Sequence, residues 1–132
     1  MGTGGAAGGR EDPQCGELSI FTLSNPVVTD QSGDGKVSPG ENASITMMLN
    51  NISDQDYGKY PRVDLTSDNP NVVPNGTQFY AAFAHGSYQA DCAASFGSNI
   101  ALGTTVHFTA QVQAMDLACA STHKIEFDVT VE

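Results

Sequence analysis

Three stretches of this chain alternate apolar and polar residues with a period of two, and that pattern restricts the fold more than any other feature. Ala43, Ile45, Met47 and Leu49 alternate with Ser44, Thr46 and Met48. Val106, Phe108, Ala110 and Val112 alternate with His107, Thr109 and Gln111, and Ile125, Phe127, Val129 and Val131 with Glu126, Asp128 and Thr130. Successive side chains of a strand point to opposite faces, so each stretch is a strand with one dry face and one wet one. Weaker strand signals fall at 18–23, 26–29, 62–66, 71–73, 78–84 and 88–96. Turn chemistry separates them at Ser24-Asn25-Pro26, Asp68-Asn69-Pro70, Pro74-Asn75-Gly76 and Leu102-Gly103-Thr104. No window carries a helical stripe and no segment repeats. The pattern predicts an all-β, antiparallel two-sheet sandwich.

At 132 residues the chain suffices for one domain with a real core and is too short for two. Its formal net charge is −10, with only five Lys plus Arg. That balance argues against nucleic acid, whose phosphates require clustered cations, and against anionic membrane surfaces. It suits a divalent cation instead. No apolar run approaches the roughly 18 residues of a membrane-crossing helix, so direct membrane insertion is not expected. Glycines stand where the apolar part of a signal peptide belongs. Residues 1–14 read as a flexible, Gly-rich tether and residues 15–132 as the folded domain.

Between two strand candidates lies an acidic stretch of twelve residues, from Asp30 to Glu41. Asp30, Ser32 and Asp34 place oxygen-bearing side chains at alternate positions, Gly35 follows at the turn, and Glu41 closes the stretch. Val37 is the apolar residue at position eight. This is the ligand spacing of an EF-hand calcium loop, in which one short loop supplies most of the oxygens a hard cation needs. The expected ligands are Asp30, Ser32, Asp34 and Glu41 through their side chains and Lys36 through its carbonyl, and the expected ion is Ca2+. Pro39 and Gly40 stand where an exiting helix should begin, and no amphipathic helix precedes Asp30. The loop therefore joins strands. The plainer alternative is an uncoordinated polar turn, which the same residue types favour.

The order of these pieces carries a resemblance. A strand is followed by an acidic loop, Asp30…Gly33-Asp34-Gly35…Pro39-Gly40-Glu41. An alternating strand then ends in Asn50-Asn51, and Val63-Asp64-Leu65-Thr66 comes after it. The series resembles immunoglobulin-like modules of bacterial secreted and surface proteins, including the bacterial cell-adhesion-related domains. The resemblance implies an immunoglobulin-like sandwich in an extracellular setting and implies no single activity. The Gly-rich start is similar to the spacer behind the lipid-bearing cysteine of bacterial surface lipoproteins. Cys15 is not that cysteine, because Asp12-Pro13-Gln14 is no lipobox.

Three cysteines fit neither a zinc ribbon nor a Cys-x-x-Cys pair. Cys92 and Cys119 flank the 104–114 strand. They are expected to form a disulfide suited to an oxidising compartment, with Cys15 left over or as an alternative partner. Buried thiols acting as small hydrophobes are the other reading. His85, His107 and His123 are scattered, and the last two read as surface residues. No catalytic motif is present, so the chain is not expected to be an enzyme. Tyr57 and Tyr60 stand in a loop between strands and are candidate partner-binding residues, since displayed aromatics stack on sugars or anchor proteins. They could instead tuck over the end of the core.

Together these readings give a non-catalytic, calcium-stabilised adhesion or assembly module of a bacterial surface protein. Its setting is secreted or cell-surface, as an outer-membrane lipoprotein or extracellular segment, and its partner is a protein or glycan gripped at Tyr57 and Tyr60. A calcium ion on a neighbouring loop would stiffen that gripping end. The alternatives are a carbohydrate-binding module or an accessory domain of a larger secreted enzyme such as a protease.

Overall fold

In a computed structural model, the described residues are 21–54, 56, 60–113 and 124–132, and among them there is no helix. The N-terminal tether expected at 1–14 lies outside them. The strands are β1 (Phe21–Asp30), β2 (Asn42–Asn51), β3 (Arg62–Ser67), β4 (Val72–Asn75), β5 (Thr77–Gln78), β6 (Ser87–Phe96), β7 (Thr105–Gln113) and β8 (Lys124–Thr130). They form two four-stranded sheets, ordered β1-β2-β6-β4 and β5-β3-β7-β8, with every ladder antiparallel. Without the two-residue β5, this is the strand order of a constant-type immunoglobulin sandwich.

The period-two stretches bury the residues their phase selects. Ala43, Ile45, Met47 and Leu49 of β2 face Val106, Phe108, Ala110 and Val112 of β7 across the interior, all nearly inaccessible. Each large side chain buried this way contributes roughly 1.5–3 kcal/mol. Phe108 ties the layers together: it meets Phe96 of the first sheet edge-on at 6.1 Å and stacks on Phe127 at 5.4 Å. The weaker signals at 18–23 and 26–29 merge into one strand, β1. The ladder slips between Ser24 and Val27, where Asn25 has φ +59° and Pro26 cannot donate to a ladder.

Gly76 is the hinge between the sheets. Residues 72–75 pair with β6 and residues 77–78 with β3, so the chain crosses layers at one residue. A Cβ there would lie 2.0 Å from the carbonyl oxygen of Val63. Only glycine permits that approach. The crossing also explains why the signal at 78–84 yields so short a strand: after Gln78 the chain leaves the sheet and its aromatic residues become a loop.

Candidate functional site

The sandwich gathers its loops at two ends. The acidic loop sits at the end where β1 turns into β2, and the loop bearing Tyr60 sits at the other end of β2. At roughly 3.3 Å per residue, the ten-residue β2 sets them about 30 Å apart. A calcium ion in the first therefore cannot directly stiffen the second, which corrects the expectation that they are neighbours.

The acidic loop is closed by its own carboxylates. Asp30 accepts from the Ser32 hydroxyl and the Asp34 amide on one oxygen and from the Gly35 amide on the other, each at 2.9 Å. Glu41 accepts from the amides of Ser32 at 2.9 Å and Ser38 at 2.8 Å. The Asp34 carboxylate takes the Lys36 amide at 2.9 Å. Gly33, Gly35 and Gly40 hold φ near +80°, which glycine adopts without strain. Val37 is buried, as position eight requires, and forms a parallel bridge to Val131 that joins the loop to the second sheet. Burial raises the Asp30 pKa, but the hydrogen bonds from Ser32, Asp34 and Gly35 outweigh it and hold the group at about 2. Glu41 is lowered chiefly by the Ser38 amide.

The five residues expected to ligate calcium thus lie on one loop, and Asp30 and Glu41 converge on Ser32. Their all-oxygen chemistry is right for a hard cation. Among the described residues, however, no three His, Cys, Asp or Glu side chains are grouped to hold a metal. The amides already occupy much of the carboxylates' acceptor capacity, so the loop is closed without an ion. An ion would have to share Asp30 and Glu41 with those amides.

The opposite end is aromatic. Tyr60 is 46% exposed and Tyr80 is 80% exposed, and their rings meet edge to face at 5.4 Å. The ladder explains the pairing. Arg62 lies opposite Gln78, and the Phe79 amide donates to the Pro61 carbonyl at 2.8 Å. The same register carried one step further sets Tyr60 against Tyr80. Phe83 is exposed beside them in sequence, and its amide donates to the Tyr88 hydroxyl at 2.8 Å. Tyr60 is therefore displayed and not folded onto the core. Tyr57 lies outside the described residues.

Buried Asn51 holds this end together. Its Nδ2 donates to the Ala82 carbonyl at 2.9 Å, and its Oδ1 accepts from the Ser53 amide and hydroxyl. Its own amide donates to the Gly86 carbonyl. Asp56 accepts from the Ala84 amide at 2.9 Å, and Asp54 meets His85 at 2.6 Å. Asn51, Asp54 and Asp56 thereby fasten their segment to residues 82–86. At this end Tyr60 and His85 hold φ near +60°, a conformation that bulky residues rarely adopt.

Sequence reasoning missed Tyr80, Phe83 and Asn51. The first two had been absorbed into a strand at 78–84. The turn signal at Pro74-Asn75-Gly76, so close before them, was the available hint that the strand would be short.

Cys92 corrects a further expectation. It is a free, buried thiol, so the bridge to Cys119 is not formed in this structure, and Cys119 itself lies outside the described residues, as do Cys15 and His123. Cys92 points into the core from mid-β6, opposite Ile45 in the ladder. Burial, with help from Asp91, pushes its pKa up to about 11, which keeps it an unreactive thiol. His107 lies on the outer face of the second sheet, between Asp128 at 2.6 Å and Glu126 at 2.7 Å. Those contacts raise its pKa, that to Asp128 most. Among the described residues, no helix is long and apolar enough to cross a membrane.

No protein-family model matches the chain, and no curated protein does.

Proposed function

We propose that this chain is a non-catalytic binding module for an extracellular or cell-surface setting, serving adhesion or assembly, and that its aromatic end is the gripping surface. The observation that carries the reading is the Tyr60–Tyr80 pair, two rings held together in solvent at one end of a rigid sandwich. Large aromatic side chains kept exposed at a structural cost are common anchors for partners, because tyrosine buries much area at low entropic cost. The left-handed backbone at Tyr60 supports this, since strain of that kind gathers at functional sites.

The acidic loop has a separate part in the proposal. Asp30, Ser32, Asp34 and Glu41, with the Lys36 carbonyl, are the ligands for Ca2+, an ion that adds to a loop already closed by amides. The resemblance to bacterial immunoglobulin-like surface modules supports the setting and rests on residues 30–66 and the strand order.

The test is adhesion to cells or capture of the partner by Tyr60→Ala and Tyr80→Ala variants. Each should weaken binding by more than about 1 kcal/mol with the melting temperature nearly unchanged. Variants that bind like the parent remove the reading.

A further inference from the structure

Beside the tyrosine pair lies an open cleft of about 280 Å³, lined by Arg62, Val63, Asp64, Gly76, Thr77 and Gln78. It follows the edge of the second sheet, where the chain has just crossed at Gly76. Arg62 and Gln78 are directly opposite in the ladder, and Tyr60 and Tyr80 stand two residues beyond them on the same two segments. The rings do not line the cleft themselves, but they stand on the two segments that do.

Resting on the binding-module reading, we propose that this surface is a site for a neutral glycan, with a hexose ring stacked on Tyr80, the more exposed of the two rings, Tyr60 standing perpendicular beside it, and the sugar hydroxyls reaching Arg62, Asp64 and Gln78. The cleft's charges cancel internally: Arg62 Nε and Nη2 donate to the two Asp64 oxygens at 2.7 and 3.2 Å. Two of the five guanidinium N–H groups are used there, and each carboxylate oxygen keeps acceptor capacity. The Gln78 amide adds another donor and acceptor. Donors and acceptors side by side without net charge match adjacent sugar hydroxyls, each of which gives and takes a hydrogen bond. The Tyr80 ring, 80% exposed, matches the C–H face of a pyranose.

Charge narrows the class. Asp54 and Asp56 stand at this end, and the chain carries a net −10, so uronate, sulfate or phosphate groups would be repelled. Size narrows it too. The cleft falls just below the roughly 300–1,000 Å³ of sites for drug-sized ligands, as suits one sugar ring. A second cleft of about 260 Å³ at Thr22, Asn50 and His85 lacks such capacity. There the Asn50 amide already bonds Thr22, Ser24 and Ser87.

The experiment is a glycan array probed with the full chain, followed by titration of neutral hexose tetrasaccharides against the parent and the Tyr80→Ala and Gln78→Ala variants. Melting curves confirm that both variants fold. Neutral oligosaccharides should bind, Tyr80→Ala should weaken them at least tenfold, and Gln78→Ala should weaken them several-fold. Binding that prefers acidic glycans, no glycan binding, or glycan binding that ignores both substitutions overturns the inference. If the tyrosine variants lose adhesion that soluble glycans do not compete, the ligand is a protein. The glycan site then falls while the binding-module reading stands.

Discussion

At the acidic end the left-handed backbone positions belong to glycines, Gly33, Gly35 and Gly40, which adopt them freely. At the aromatic end they belong to Tyr60 and His85, which do not. The acidic end also satisfies itself: Asp30, Asp34 and Glu41 take their own loop's amides, and Val37 is drawn into the core. The aromatic end uses Asn51, Asp54 and Asp56 to fasten two loops, yet leaves Tyr60, Tyr80 and Phe83 in solvent. One end is built to be at rest by itself, whereas the other holds strain and apolar surface that folding alone does not require. That difference separates a closing turn from a recognition surface.

The largest expected effect comes from unfastening the aromatic end. Asn51→Ala leaves the buried Ala82 carbonyl without its donor and frees the Ser53 turn, at a cost of about 3 kcal/mol. Denaturant unfolding measures the loss, and hydrogen exchange should place it in residues 79–86 with the acidic loop unchanged. Loosening spread evenly over both ends would break the comparison.

Next comes calcium. The domain should stay folded in EDTA, because amides close the acidic loop. Adding free calcium at 100-fold its dissociation constant should stabilise it by about 2.7 kcal/mol. Unfolding in EDTA would show that the amide network does not suffice, and an unchanged melting temperature would show that the loop takes no ion.

A smaller effect isolates the strain. Tyr60→Gly and Tyr60→Ala both delete the ring, but only glycine relaxes at φ +56°. Tyr60→Gly should be the more stable of the two by about 1 kcal/mol, read from the midpoints of denaturant unfolding. Equal midpoints would mean that the backbone there is not strained.

The mildest expected effects are in pH dependence, and they run in opposite directions. The folded-state pKa of Asp30 is depressed, so its contribution is present above about 3.8 and is lost as pH falls towards about 2. The folded-state pKa of His107 is raised by Asp128 and Glu126. Its contribution is present below about 6.5 and is lost as pH rises through the folded value. Asp30→Asn should flatten the acid limb of the stability profile, and His107→Gln should flatten the decline above 6.5. Profiles that keep both slopes would rule out these groups as their source.

The two-sheet sandwich was legible because alternation is a local property: Ile45, Met47 and Leu49 declare a buried face whatever lies opposite. The acidic loop was legible for a similar reason, since Asp30 takes the Asp34 and Gly35 amides and Glu41 takes those of Ser32 and Ser38, all within twelve residues. The aromatic site was half hidden because it is made by long-range register. Tyr60 meets Tyr80 only because β3 pairs with β5 across the Gly76 crossing, and nothing near either residue announces that pairing. Asn51 was passed over for the same reason, its main partner lying 31 residues away. The bridge was expected because Cys92 and Cys119 flank the 104–114 strand; Cys92 is a free thiol whose phase in β6 points it into the apolar core, and Cys119 lies outside the described residues.

Comparing the two ends in one binding assay tests the central claim most directly. Adhesion to target cells is measured for the parent, a Tyr60→Ala/Tyr80→Ala double variant and Asp30→Asn, each confirmed as folded by its melting curve. The double variant should lose at least tenfold in binding, and Asp30→Asn should bind within twofold of the parent with or without calcium. If Asp30→Asn abolishes adhesion while the tyrosine variant keeps it, the recognition surface lies at the acidic end and the account is wrong.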